Sequence, residues 1–202
     1  FHPHQFGGIA VNVNGLTGTD KYRNVLIEGN RVENVGRTGI VVWDHIFAKY
    51  DEACTGVRIR KNSVKDIDSD GILTYGCDGA LIEHNVADGC GSYREDGGFN
   101  GSAAIWCTRG SNCIIQYNEA FNTHMLEGNA DGTAFDIDID AIDCIVQYNY
   151  SHDNEGGFML FIDASNSSGG IVRYNISQND KTRIFMIAGG VQQIGRASCR
   201  ER

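Results

Sequence analysis

Three aspartates alternate in the run Phe135-Asp-Ile-Asp-Ile-Asp140, and a fourth, Asp163, closes the similar run Phe158-Met-Leu-Phe-Ile-Asp163. Asp is poor strand material, so its alternation here opposes local propensity and needs a reason. Closely set carboxylates disfavour each other's charge, which raises one pKa and leaves an acid beside a base. Hydrolysis of a glycosidic bond needs that combination. On neighbouring parallel strands Asp138 and Asp163 would stand about 5 Å apart, near the spacing of retaining glycosidases. Asp136 and Asp138, two apart on one strand, would stand about 7 Å apart, nearer the inverting range. A cation site, calcium being the candidate ion, and a plainly solvated face are the competing readings of the same acids.

Strands must hold these groups, and the strands repeat. VLIEGN, VRIRKN, ALIEHN, CIIQYN, CIVQYN and GIVRYN end at Asn30, Asn62, Asn85, Asn118, Asn149 and Asn175. Three residues before each Asn stand Ile27, Ile59, Ile82, Ile115, Val146 and Val172, one apolar column. Four residues after it come Asn34, Asp66, Gly89, Asn122, Asp153 and Asn179, a second turn column. Such a unit reads strand, Asn turn, short strand, small-residue turn, strand. It cannot bury its apolar face alone, but units stacked about 4.8 Å apart can, with their Asn side chains satisfying one another. The expected fold is all-β: a parallel β-helix, a single-stranded solenoid of roughly six to seven coils.

Taking Ile40, Ile72, Ala103, Thr133, Phe158 and Ile184 as inward aligns the strands after the small-residue turn and predicts their outward columns. One reads Trp43, Tyr75, Trp106, Asp136, Phe161, Ile187. The next reads His45, Cys77, Thr108, Asp138, Asp163, Gly189. Aromatics running into acids suit a sugar chain, whose C–H faces pack on rings while carboxylates accept hydroxyl protons. Trp43, Tyr75, Trp106, Phe161, His45 and Arg109 are therefore candidate sugar-binding residues. His152 and Glu155 join them from the loop beside the strip. Asp66-x-Asp68-x-Asp70-Gly71 imitates the start of a calcium loop, but its twelfth position is Cys77 rather than Glu, and a solenoid turn explains it better. No metal ligand set is predicted. Cys113 and Cys144 fall at equivalent places on adjacent coils, to be stacked or bonded.

These segments resemble the right-handed parallel β-helix proteins of the pectin-lyase-like superfamily over roughly residues 20 to 190. The stretches Cys144-IVQYNYSHDNEGGF-Met159 and Gly132-TAFDIDID-Ala141 are similar to large bacterial β-helix proteins placed with carbohydrate-active enzymes. The resemblance implies right-handed coiling, a polysaccharide or oligosaccharide partner, and work outside the cell, at its surface or in the periplasm. Within that superfamily the fold hosts hydrolases, lyases, epimerases and adhesins, so the site must choose.

Charge narrows the partners. The chain carries 17 basic and 26 acidic residues, a formal −9. An acidic body argues against nucleic acid and anionic membrane surfaces. No apolar run reaches the roughly 18 residues of a membrane span. Residues 194–202 fit no part of the repeat and read as a translated adapter, leaving 1–193 as a β-helix fragment. Without the three Arg and one Glu of that tail the counts are 14 and 25, or −11. A monomer is expected. The leading function is a glycoside hydrolase with Asp138, Asp163 and Asp136 as its catalytic acids and no cofactor. A polyuronate lyase or epimerase is the alternative, disfavoured by the lack of a base in the outward columns before Arg109. A non-catalytic glycan-binding module is the third.

Overall fold

The computed structural model describes residues 7–13, 21–44, 54–92, 102–126, 131–163, 166–189 and 197–201. Among them every regular element is a strand, and no helix is long and apolar enough to cross a membrane. The first coil contributes β1 (Ile9–Val13). The second holds β2 (Leu26–Glu28), β3 (Arg31–Val35) and β4 (Ile40–Asp44). The third holds β5 (Cys54–Thr55), β6 (Arg58–Arg60), β7 (Ser63–Ile67) and β8 (Ile72–Tyr75). The fourth holds β9 (Cys77–Asp78), β10 (Leu81–Glu83), β11 (Val86–Cys90) and β12 (Ala103–Thr108). The fifth is β13 (Ile114–Gln116), β14 (Glu119–Phe121) and β15 (Thr133–Asp138). The sixth is β16 (Ile145–Gln147), β17 (Tyr150–His152) and β18 (Gly157–Asp163). The seventh has β19 (Ile171–Gln178) and β20 (Phe185–Gly189), and β21 (Ala197–Glu201) pairs with β19.

Each strand pairs in parallel with its counterpart one coil away, which makes the chain a parallel β-helix. One face is β1-β4-β8-β12-β15-β18-β20. Two more faces, β2-β6-β10-β13-β16-β19 and β3-β7-β11-β14-β17-β19, meet in the long strand β19. The expected pairing of the Asn units is found, with Ile114↔Ile145, Ile115↔Val146 and Gln116↔Gln147 in register.

The asparagine column explains the lock between coils. The Oδ1 of Asn149 accepts from both the backbone N (2.9 Å) and Nδ2 (3.0 Å) of Asn118, while Asn118 Nδ2 also donates to Ile82 O (3.0 Å). Asn30, Asn62, Asn85 and Asn149 repeat the pattern on the next coil. From Asn62 to Asn175 these side chains are buried, so every polar atom must be paired, and stacking pairs them. The residue before each Asn turns the chain with positive φ: Gly29, Lys61, His84, Tyr117, Tyr148 and Tyr174. The second turn column is left-handed too, at Asn34, Asp66, Gly89, Asn122, Asp153 and Asn179, which accounts for its Asn/Asp/Gly composition.

The face that carries the acids is registered differently from the sequence expectation. Ile72 pairs with Ile105, Ile105 with Phe135, Phe135 with Met159, and Met159 with Phe185. Ala103 and Thr133 thus lie two residues early, and Phe158 and Ile184 one early. The bulky residues decide, because Ile105, Phe135 and Met159 complete the core column that Ile40 and Ile72 begin. Turn length before these strands varies, so counting from the glycines misplaces them.

Candidate active site

Two columns point away from the core on this face. One is Val41, Leu73, Trp106, Asp136, Leu160; the other is Trp43, Tyr75, Thr108, Asp138. Val41, Leu73 and Leu160 are at most 2% exposed yet stand outside the core cluster, so the outer face is itself covered. The acids sit in this recess.

Asp136 is 5% exposed and its Oδ1 has no hydrogen-bond partner. Burial, then the charges of Asp138, Asp131 and Asp70, push its carboxyl well above the usual range. Asp138 ends β15, where the Ile139 amide donates to its Oδ1 at 2.6 Å. Burial pushes Asp138 up to about 6, against the pull of that amide and of Arg109. Asp131 arrives from the turn before β15. Burial and then the charge of Asp138 raise it to about 6, with Arg183 opposing. Deeper in, Asp70 accepts from Arg37 Nη1 (3.1 Å) and from Trp106 Nε1 (3.1 Å), which fixes the indole beside Asp136. Burial raises Asp70 as well, the Arg37 charge notwithstanding.

Among the described residues, no three Asp, Glu, His or Cys ligand atoms come within 4.8 Å of one another except those of Cys107, Cys113 and Cys144. The four carboxyls are therefore splayed wider than a cation cage. The three thiols are free and buried. Cys113 and Cys144 continue the apolar column Val57–Ala80 and donate to backbone carbonyls, so they fill core. Asp66, Asp68 and Asp70 also part company: Asp66 makes a left-handed turn, Asp68 accepts from Ser92, and Asp70 pairs with Arg37.

A family profile described as "Right handed beta helix region" matches residues 15–199. The chain belongs to the right-handed β-helix family. This β-helix is 34% identical over 194 residues to the Lacto-N-biosidase of Bifidobacterium longum subsp. longum, a match that covers 82% of the chain but 12% of that protein. Among solved structures it resembles the GH136 lacto-N-biosidase of Eubacterium ramulus at 23% identity and a TM-score of 0.69. The native crystal structure is matched over 90% of this chain and 36% of that one, the selenomethionine form over 97% and 38%. The chain thus spans about an eighth of the curated relative and little more than a third of the solved ones.

The β-helix brings some of the expected site residues together and separates others. Trp106, Asp136 and Asp138 converge, though Trp106 stands one column from Trp43 and Tyr75. Trp43 and Tyr75 stack face to face, 4.9 Å between centroids and 10° between planes. Arg109 lies over the Tyr75 ring at 5.7 Å. The expected aromatic strip is therefore not a platform: Tyr75 has both faces occupied. Phe161 was expected outward; it shares the inward column of Cys107 and Ile137 and packs against the core. Asp140 was expected on the strand with Asp136 and Asp138, but β15 stops at Asp138 and Asp140 sits in a turn at φ 57°. Asp163 lies opposite Gly189, and the pairing Ile137↔Phe161 puts Ile162 beside Asp138. The two acids are one residue out of step. The side chain of Asp163, and His45 altogether, lie outside the described residues.

His152 is on β17, on another face of the solenoid, stacked on Phe121 at 4.6 Å and set between Asp153 (2.8 Å) and Glu119 (3.3 Å). Glu155 accepts from the Met125 amide (3.0 Å) and lines a polar groove of about 420 Å³ on the second-turn edge with Lys65, Asp88 and Lys181. Three groups at the site were missed: Asp131, Asp70 and Arg183. Asp131 and Asp70 each precede a Gly just before a strand of this face, Asp131-Gly132 and Asp70-Gly71, and that shared signature could have found them. Arg183 carries no such signal.

Proposed function

We propose that this β-helix carries a glycoside hydrolase site in which Asp131 and Asp138 are the reacting carboxyls, and that the substrate is an oligosaccharide. The observation that carries the reading is a pair of partly exposed carboxyls in one recess, each lifted to about 6 by burial, Asp131 in part by the charge of Asp138. Near pH 6 such a pair holds a proton on one member and charge on the other, which is what glycosidic cleavage uses. The protonated carboxyl gives its proton to the leaving oxygen; the ionised one meets the anomeric carbon or activates the water that does. Asp136 stands beside them, its carboxyl held well above the usual range by burial and by the charges of Asp138 and Asp131. Trp106, pinned by Asp70, offers the ring nearest the acids for a sugar to pack against. Resemblance to proteins called lacto-N-biosidases supports a glycan as the ligand, and an oligosaccharide substrate suits a protein working outside the cytoplasm.

The test is turnover of a p-nitrophenyl lacto-N-bioside and a panel of oligosaccharides. Asp131→Asn and Asp138→Asn should each lower kcat about a hundredfold or more while the proteins still fold. Turnover should peak near pH 6, where the singly protonated pair is most populated, the macroscopic values belonging to the pair. Wild-type turnover in both Asn variants, or binding of glycans without cleavage, would overturn the proposal.

A further inference from the structure

Among the described residues Arg37, Arg109 and Arg183 stand near the recess, and the first two are committed elsewhere. Arg37 bonds Asp70 and Ser69. Arg109 lies over Tyr75 and 3.9 Å from Asp140. Arg183 differs: its Nε and Nη2 are buried and have no hydrogen-bond partner. These two nitrogens share one edge of the guanidinium, where their N–H bonds run side by side, the fork with which arginine grips two oxygens at once. Buried donors are seldom left unmade, and a whole buried fork without partners asks for a ligand.

The backbone holds this fork in place. Arg183 O accepts from Phe158 N at 3.2 Å, and a Cβ on Gly157 would overlap that carbonyl, so the glycine (φ 113°) is what lets Arg183 approach. Gly157 is the rung partner of Thr133 at the start of β15, and further along that strand Asp136 Oδ1 is likewise buried and unpartnered. The charge of Arg183 reaches Asp131.

We propose that the Arg183 fork anchors two adjacent hydroxyl oxygens of a neutral sugar ring beside Asp131. The inference rests on the glycosidase reading and adds the class of ligand group that the site recognises. Neighbouring ring hydroxyls present two acceptors side by side, which parallel N–H donors match. A uronate carboxylate matches the fork as well, but it would bring a further negative charge into a recess already holding Asp70, Asp131, Asp136 and Asp138. The neutral ring is therefore the occupant.

Calorimetric titration with free lacto-N-biose and with digalacturonate tests this. Arg183→Lys keeps the charge beside Asp131 and removes the fork. It should weaken lacto-N-biose binding at least about tenfold without moving the pH profile of turnover. Deoxy analogues lacking one hydroxyl of the gripped pair should bind wild type as weakly as the parent sugar binds the variant, a comparison that needs no folded mutant. Unchanged affinity in Arg183→Lys, Arg183-dependent binding of digalacturonate, or binding of neither sugar by wild type overturns the proposal. Arg183-dependent binding without any cleavage would instead remove the glycosidase reading and leave the anchor standing.

Discussion

Replacing Asp138 by Asn should make the protein more stable at pH 8 and leave it unchanged at pH 4. In the folded chain the Asp138 carboxyl is lifted from 3.8 to about 6, chiefly by burial. The folded state therefore holds this proton more tightly than the unfolded chain does. That contribution to stability is fully present below about pH 4 and is lost as the pH rises through about 6. A lift of roughly two units corresponds to about 3 kcal/mol at 1.36 kcal/mol per unit. Partial exposure and the coupling to Asp131 reduce this to about 1–3 kcal/mol. Asn resembles the protonated acid in shape, and its Oδ1 can still accept from the Ile139 amide. Urea unfolding at the two pH values measures the difference. The variant should gain about 1–3 kcal/mol over wild type at pH 8 and nothing measurable at pH 4, while its turnover collapses at both. Equal effects at the two pH values, or a loss at pH 8, would refute the claim that burial sets this carboxyl.

Two further outcomes follow from the solenoid itself. Asn118→Ala removes four hydrogen bonds and strands the Asn85 amide and the Ile82 carbonyl, so unfolding free energy should fall by about 3–5 kcal/mol, read as a shift of the urea midpoint. Of the seven cysteines, the six at positions 54, 77, 90, 107, 113 and 144 are buried free thiols, with burial raising Cys54, Cys77 and Cys90; native protein should give at most about one fast equivalent with a thiol reagent, and all seven only when unfolded.

The coil and its Asn lock were legible in the sequence because they recur at a constant offset: each Ile or Val stands three before its Asn, and nothing intervenes. The outer face was harder to read. Its strands follow turns of unequal length, so Ala103 and Thr133 took the place that Ile105 and Phe135 hold, and Phe161 was turned outward although it packs inward. The two-residue slips at Ala103 and Thr133 keep sidedness, whereas the one-residue slip at Phe158 inverts it without disturbing composition. Asp131 and Arg183 escaped for another reason. Neither belongs to a column; Asp131 lies in the turn before β15 and Arg183 in the turn before β20, both beside Gly156-Gly157. The unpaired fork of Arg183 has no counterpart in a residue count, since it is a property of what surrounds the side chain.

The two turns of a coil differ in freedom. At the Asn turn, the strands before and after are always separated by two residues, from Gly29-Asn30 to Tyr148-Asn149. At the next turn the gap is 4 residues between β7 and β8, 12 between β11 and β12, 11 between β14 and β15, and 4 between β17 and β18. One corner acts as a fixed spine and the other as an open margin where chain can be inserted without breaking the stack. Asp138 is written on the invariant strand, whereas Asp131 and Asp70 come from the margin. A lineage could therefore retune which glycan is admitted, or lose cleavage and keep binding, by editing marginal loops alone, with the spine preserving the fold through every such change.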